Sequence, residues 1–132
     1  MTVQILLVED DELNQALVKT ILTRSGEPVL RDARLTLAGT VAQARAALAA
    51  GAFDVVLLDM GLPDGGGVSL AAEIRLSGGA PPVVIAVTGA AAEHRSAALA
   101  AGCAAVLGKP YSRAELCEAV LHHLPSGQRR VG

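Results

Sequence analysis

The chain has no basic cluster. Its 11 lysines and arginines stand against 13 acidic residues, a formal charge of -2, and the only adjacent basic pair is Arg129-Arg130 near the end. A nucleic-acid footprint needs a basic patch, so that class of partner is excluded. Cysteine is scarce: Cys103 lies in an Ala-rich stretch and Cys117 in a predicted helix, with no metal-ligand spacing between them. They read as buried, reduced thiols, which points to a cytoplasmic protein. Long apolar runs are missing too. The N-terminal run Ile5-Leu6-Leu7-Val8 turns acidic at Glu9, too short for a signal-peptide core or a membrane span. Aromatic residues are nearly absent, with no tryptophan, a single Tyr111 and a single Phe53, the latter expected to anchor the core.

What is present is aliphatic. A chain of 132 residues that is 52% hydrophobic can bury one core and has no room for a second domain. The Ala-rich stretches Ala44 to Ala52 and Ala90 to Ala105 need only helix propensity and small-residue packing to explain them. No internal repeat or linker interrupts the chain. Residues 1–125 are expected to form one domain and residues 126–132 a flexible tail.

Short apolar runs alternate with helical patterns, the signature of a parallel α/β sheet covered on both faces. Strands are predicted at Ile5 to Val8, Leu35 to Ala38, Val55 to Leu58, Val83 to Val87 and Ala104 to Leu107. The first helix follows Glu9-Asp10-Asp11, with Leu13, Leu17, Ile21 and Leu22 at helical spacing until Gly26. Four more helices are predicted at Ala42 to Ala50, Val68 to Leu76, Ala91 to Ala101 and Ser112 to Leu124. A breaker-rich loop, Gly61 to Gly67, precedes the third of these five. Glu27 to Ala33, a few residues longer than such a connection needs, is expected to be a surface excursion. The expected fold is a flavodoxin-like sheet of five parallel strands, order 2-1-3-4-5, with five helices on its two faces.

Polar residues stand at the ends of four of these runs: Glu9 and Asp10, Asp59, Thr88, and Lys109. In that strand order ligands bind beyond the C-terminal strand ends, where strands one and three are neighbours. Asp10 and Asp59 then sit side by side, with Thr88 and Lys109 on successive strands. Carboxylates about 4 Å apart repel by roughly 1 kcal/mol per pair even in a water-like dielectric. A divalent cation relieves that repulsion, and hard oxygen ligands select Mg²⁺, or a similar ion such as Mn²⁺, over Zn²⁺. A cation, an ammonium and a hydroxyl around one carboxylate suit a phosphoryl group, which that carboxylate can attack in line.

The ordered set Leu6-Leu7-Val8-Glu9-Asp10-Asp11, Leu57-Leu58-Asp59-Met60-Gly61-Leu62-Pro63 with Gly67, Val87-Thr88-Gly89 and Gly108-Lys109-Pro110 resembles the response-regulator receiver domains of two-component phosphorelays. The resemblance spans roughly residues 3 to 124. It implies that Asp59 accepts a phosphoryl group from a histidine kinase or a histidine phosphotransfer protein. Asp10 and Asp59 would then bind Mg²⁺ directly, Glu9 through water, and the backbone carbonyl of Gly61 would complete the protein ligands. Thr88 and Lys109 would contact the phosphoryl oxygens, with Gly89 beside Thr88, and Pro110 would follow a cis peptide. Tyr111 falls where the family often has a packing aromatic. The implied readout face is the fourth helix, fifth strand and fifth helix, Ala91 to Leu124, for a protein partner or a self-dimer. Such a protein is not an enzyme beyond promoting its own phosphorylation and dephosphorylation. The opening Glu9-Asp10-Asp11-Glu12-Leu13-Asn14-Gln15 resembles receivers attached to hybrid histidine kinases, so a single-domain regulator and a receiver from a larger chain both stand.

Plainer roles exist for single residues: Asp10 or Asp11 as a helix N-cap, Thr88 likewise for the fourth helix, Lys109 as a solvated amine. Asp59 resists such a reading, because a carboxylate ending a continuous Val/Leu strand is costly to bury unpaired. His94, His122 and His123 have no Cys or carboxylate arranged around them and read as surface residues, the last two aided by the helix dipole. One departure from the family concerns Val106, where many receivers carry an aromatic that swings inward with the threonine. Valine is small and stiff at χ1, so a backbone or helix shift must carry any signal. Gly61 and Ala90, without side chains that could block access, suggest a site open to small donors such as acetyl phosphate. Two rivals remain: a non-phosphorylated scaffold that binds partners, and an aspartyl phosphatase, which lacks a second aspartate where Gly61 stands.

Overall fold

A computed structural model describes residues 2–62, 66–77 and 80–124. The expected tail at 126–132 lies outside them, as do Pro63 to Gly65 of the breaker-rich loop. The strands are β1 (Gln4–Val8), β2 (Arg34–Ala38), β3 (Val55–Asp59), β4 (Val83–Thr88) and β5 (Ala105–Gly108). The helices are α1 (Glu12–Thr23), α2 (Pro28–Arg31), α3 (Val41–Ala50), α4 (Gly67–Leu76), α5 (Ala91–Ala100) and α6 (Arg113–His123). All strand pairings are parallel and the order is β2-β1-β3-β4-β5, as expected.

The alternation of side chains along each strand builds two cores. From β1, Leu6 and Val8 join Val41 and Ala44 of α3, Leu70 and Ile74 of α4, and Ala98 of α5. Ile5 and Leu7 point the other way, to Val18, Ile21 and Leu22 of α1 and Leu116 and Val120 of α6. Every residue of β3 is buried, because helices cover both of its faces. Phe53 packs against the first core and Tyr111 against the second.

Among the described residues there are six helices, one more than expected, and the extra one replaces the surface excursion. Pro28 sits at the first helical position, where its missing N–H is no loss. The four-residue turn that follows buries Leu30 completely in the second core. A turn this short carries no helical periodicity, which is why its inward residues, Leu30 above all, were not legible.

Local signals set the helix ends. Asp11 caps α1 by accepting from the Leu13 N–H at 3.0 Å, and Ser112 forms a capping box with Glu115 at the start of α6. The end of α5 is a Schellman turn: Gly102 N–H donates to the Leu99 carbonyl and Cys103 N–H to that of Ala98. Gly102 has φ of 104°, and a Cβ there would lie 2.6 Å from Arg75 Cδ, so glycine is required twice over.

Candidate phosphoacceptor site

The register aligns the polar strand ends. Val8 pairs with Leu58, Asp59 with Val87 and Thr88 with Gly108, so Glu9, Asp59, Thr88 and Lys109 gather at one edge of the sheet. The buried polar or charged residues among those described are Glu9, Ser25, Asp59 and Thr88, and all but Ser25 belong to this edge. Burial is costly for such groups unless they are paired, and they are. Lys109 Nζ lies 3.3 Å from Asp59 Oδ2 and 3.4 Å from both carboxylate oxygens of Glu9. Asp59 Oδ1 accepts the Gly61 N–H at 2.9 Å. The Lys109–Pro110 peptide is cis.

The acidic residues divide their tasks. Asp11 is the helix cap, which leaves Asp10 out of that role. Asp10 is exposed at the rim, whereas Glu9 is buried. One carboxylate oxygen from each of Glu9, Asp10 and Asp59 lies within 4.8 Å of the others. Two residues of α1 hold Glu9 and had no assigned role in the sequence: Asn14 Nδ2 donates to its Oε1 at 2.7 Å, and Gln15 Nε2 to its backbone carbonyl at 2.6 Å. Their place five and six residues after Glu9, on the first helical turns, is the signal that could have marked them.

The charges are not balanced by protein alone. Burial, then the neighbouring Asp59, pushes the Glu9 carboxyl up to about 7. For Asp59 burial acts in the same direction, but hydrogen bonds from Glu9 and the Gly61 N–H, with the Lys109 ammonium, outweigh it and hold the group below the usual carboxylate range. Burial also works against the Lys109 ammonium, yet Asp59 and Glu9 together raise it. Near neutrality Glu9 is poised between its protonated and ionised forms, and the Lys109 ammonium alone faces the two buried carboxyl groups. Three clustered hard-oxygen donors, one of them raised by burial and by a neighbouring carboxylate, fit a divalent cation of the Mg²⁺ type.

The hydroxyl of Thr88 accepts the Ala90 N–H at 3.0 Å and pairs with Nδ1 of His94 at 2.7 Å. His94, expected as a surface residue without a Cys or carboxylate around it, is instead half-buried against the site edge with a hydroxyl as its partner. Six residues separate the two in sequence, and only the turn into α5 brings them together, so no periodic spacing announces the contact. Gly89 is exposed, and Val106 packs against the first core. The half-buried Tyr111 packs beside Lys109, with its phenol pushed up by burial. Gly61 is exposed and Ala90 half-buried, the two positions expected to leave access open.

This arrangement can be set beside known proteins. The model of the response regulator receiver domain matches residues 5–121. The chain belongs to the response regulator receiver family. It is 31% identical over 113 residues to the transcriptional regulatory protein PmrA of Pectobacterium parmentieri, covering 86% of this chain and 48% of that one. The chain spans about half the length of the first curated relatives it matches. Among solved structures, the CheY-like receiver domain protein of Methanospirillum hungatei superposes with a TM-score of 0.81 at 29% identity over 100% of both chains. The receiver domain of the sensor histidine kinase PA1611 of Pseudomonas aeruginosa, solved with magnesium in its active-site cleft, gives 0.78 at 31% identity over 93% of this chain and 98% of that one. Among the described residues no helix is long and apolar enough to cross a membrane.

Proposed function

We propose that this receiver domain is a phosphoacceptor: Asp59 takes a phosphoryl group from a phosphohistidine of a histidine kinase or histidine phosphotransfer protein, in a Mg²⁺-dependent transfer in the cytoplasm. The observation that carries this reading is the contact of the half-buried Lys109 with the buried Asp59 and Glu9 at one sheet edge. Glu9, Asp10 and Asp59 would hold the Mg²⁺, with the Gly61 carbonyl completing the protein ligands. The ion supplies positive charge where negative charge develops on the transferred group.

The chain's own residues account for the rest. A carboxylate oxygen of Asp59 forms a bond to phosphorus while the phosphorus–nitrogen bond of the donor breaks, its electron pair remaining on the imidazole nitrogen. The Gly61 N–H and the Lys109 ammonium keep Asp59 ionised and so nucleophilic. Lys109, 3.3 Å from Asp59 Oδ2, would contact a phosphoryl oxygen once Asp59 is modified, and Thr88, on the adjoining strand, would donate a further hydrogen bond. Phosphorylation adds about -1.5 to -2 charges, which supplies the differential interaction that a population shift requires. The α5–β5–α6 face is the surface through which the shift would reach a protein partner or a second copy. Catalysis is limited to the domain's own phosphorylation and dephosphorylation.

The test is phosphoaspartate formation, or beryllofluoride binding with Mg²⁺, in wild type and Asp59→Asn. Labelling of the wild type and its loss in the variant are expected. A wild type that neither labels nor binds beryllofluoride leaves the interaction scaffold as the better account.

A further inference from the structure

We propose that His94 is a positioning residue that holds the Thr88 hydroxyl on the α5 side of the unphosphorylated site, and so ties the first turn of α5 to the state of Asp59. This rests on the phosphoacceptor reading, and deepens it by naming what the modification must displace. A hydroxyl has one proton to donate and two lone pairs. In Thr88 a lone pair is taken by the Ala90 N–H, and the pairing with His94 Nδ1 is the second engagement. Neither bond goes to Asp59. With the Thr88 proton donated to Nδ1, the tautomer this proposal adopts, Thr88 must exchange partners to reach a phosphoryl oxygen.

That exchange falls on the least anchored part of α5. Its N-cap residue, Ala90, has no side chain able to cap the helix, and Ala98 is the only residue of the helix that is fully buried. The start of α5 is therefore held to β4 through Thr88, by one bond to the backbone of Ala90 and one to the His94 ring. When the hydroxyl turns inward, a half-buried imidazole loses its partner and the Ala90 N–H loses its acceptor. Unsatisfied polar groups of this kind are costly, so the first turn of α5 must shift to satisfy them. This gives the domain a route from site to helix that does not pass through residue 106, where valine cannot make an aromatic's swing.

The experiment compares wild type, His94→Ala, His94→Asn and Thr88→Val with and without His94→Ala. Asparagine places a polar atom near the position of Nδ1 and serves as the conservative control. Without any phosphoryl analogue, three-bond couplings to the Thr88 methyl report its χ1. One dominant rotamer is expected in wild type and His94→Asn, and averaging in His94→Ala. In titrations with beryllofluoride and Mg²⁺, His94→Ala should bind about three- to tenfold tighter than wild type, the loss of one hydrogen bond that favours the resting state. In the Thr88→Val background the same substitution should change nothing. Unaltered Thr88 couplings in His94→Ala, unchanged or weaker binding, or an equal gain with valine at position 88 would each overturn the latch. Failure of wild type to bind beryllofluoride removes the phosphoacceptor reading instead, and the couplings still decide whether His94 holds Thr88.

Discussion

The two ends of the sheet each carry an ion pair, and the shorter one matters less. At the N-terminal end, Arg45 of α3 reaches Glu73 of α4 with Nη2 to Oε2 at 2.9 Å, beside a groove of about 380 Å³. At the C-terminal end, Lys109 stands 3.3 Å from Asp59. The side chains of Arg45 and Glu73 are each 52% exposed, whereas those of Lys109 and Asp59 are 26% and 9% exposed. Water screens the first pair, and exposed pairs contribute roughly 0–1 kcal/mol. The second is shared with the buried Glu9, so the protonation of each group depends on the others, the setting in which functional sites are commonly found. Convergence and burial, not bond length or cavity size, mark the end that holds the candidate site.

The sharpest way to break this comparison is Lys109→Ala. It leaves two buried carboxylates without their ammonium, and phosphoryl transfer to Asp59 should fall by about 10²-fold at saturating Mg²⁺. Rates within a factor of two of wild type would show that the reactive end does not need its cation.

Next comes pH. The folded Glu9 carboxyl titrates at about 7 against an ordinary 4.5. The folded protein then binds more protons than the unfolded chain between those values, and this contribution is lost as pH rises. Metal-free wild type should lose on the order of 1–2 kcal/mol relative to Glu9→Gln between pH 5 and 8, read from urea midpoints. A pH-independent difference would mean that Glu9 is not strained by its neighbours. Added Mg²⁺ should shrink the loss, because it stabilises the ionised pair.

At the other end, Gly102→Ala should cost about 1 kcal/mol or more of stability through its positive φ and the encroachment on Arg75, with labelling of Asp59 unchanged. Smallest of all, Glu73→Ala should move stability by under about 0.5 kcal/mol and leave labelling intact. A large effect on labelling from either would erase the distinction between the ends.

The central strands β1, β3 and β4 were legible because aliphatic runs buried on both faces can be little else, and the candidate site was legible because Glu9, Asp59, Thr88 and Lys109 stand at or just past the ends of strands. Strand order then converted four distant positions into one edge. What escaped were contacts made by direction and not by pattern. Leu30 enters the core from a four-residue turn, and the side chains of Asn14 and His94 reach back across helix starts to groups on strand ends. Helical spacing ranks residues on one helix and is silent about what a first-turn side chain meets outside it.

The Schellman turn at Gly102 has a mechanical consequence for α5. Cys103 is buried just beyond it, and Arg75 Nη1 donates to the Ala100 carbonyl at 3.2 Å, so this helix is clamped where it leaves the site and loosely held where it meets it. A rod fixed at one end and released at the other pivots. On the latch proposed above, the pivot would be Gly102 and the sweep would grow toward Ala91, so a partner that reads α5 should grip its N-terminal half.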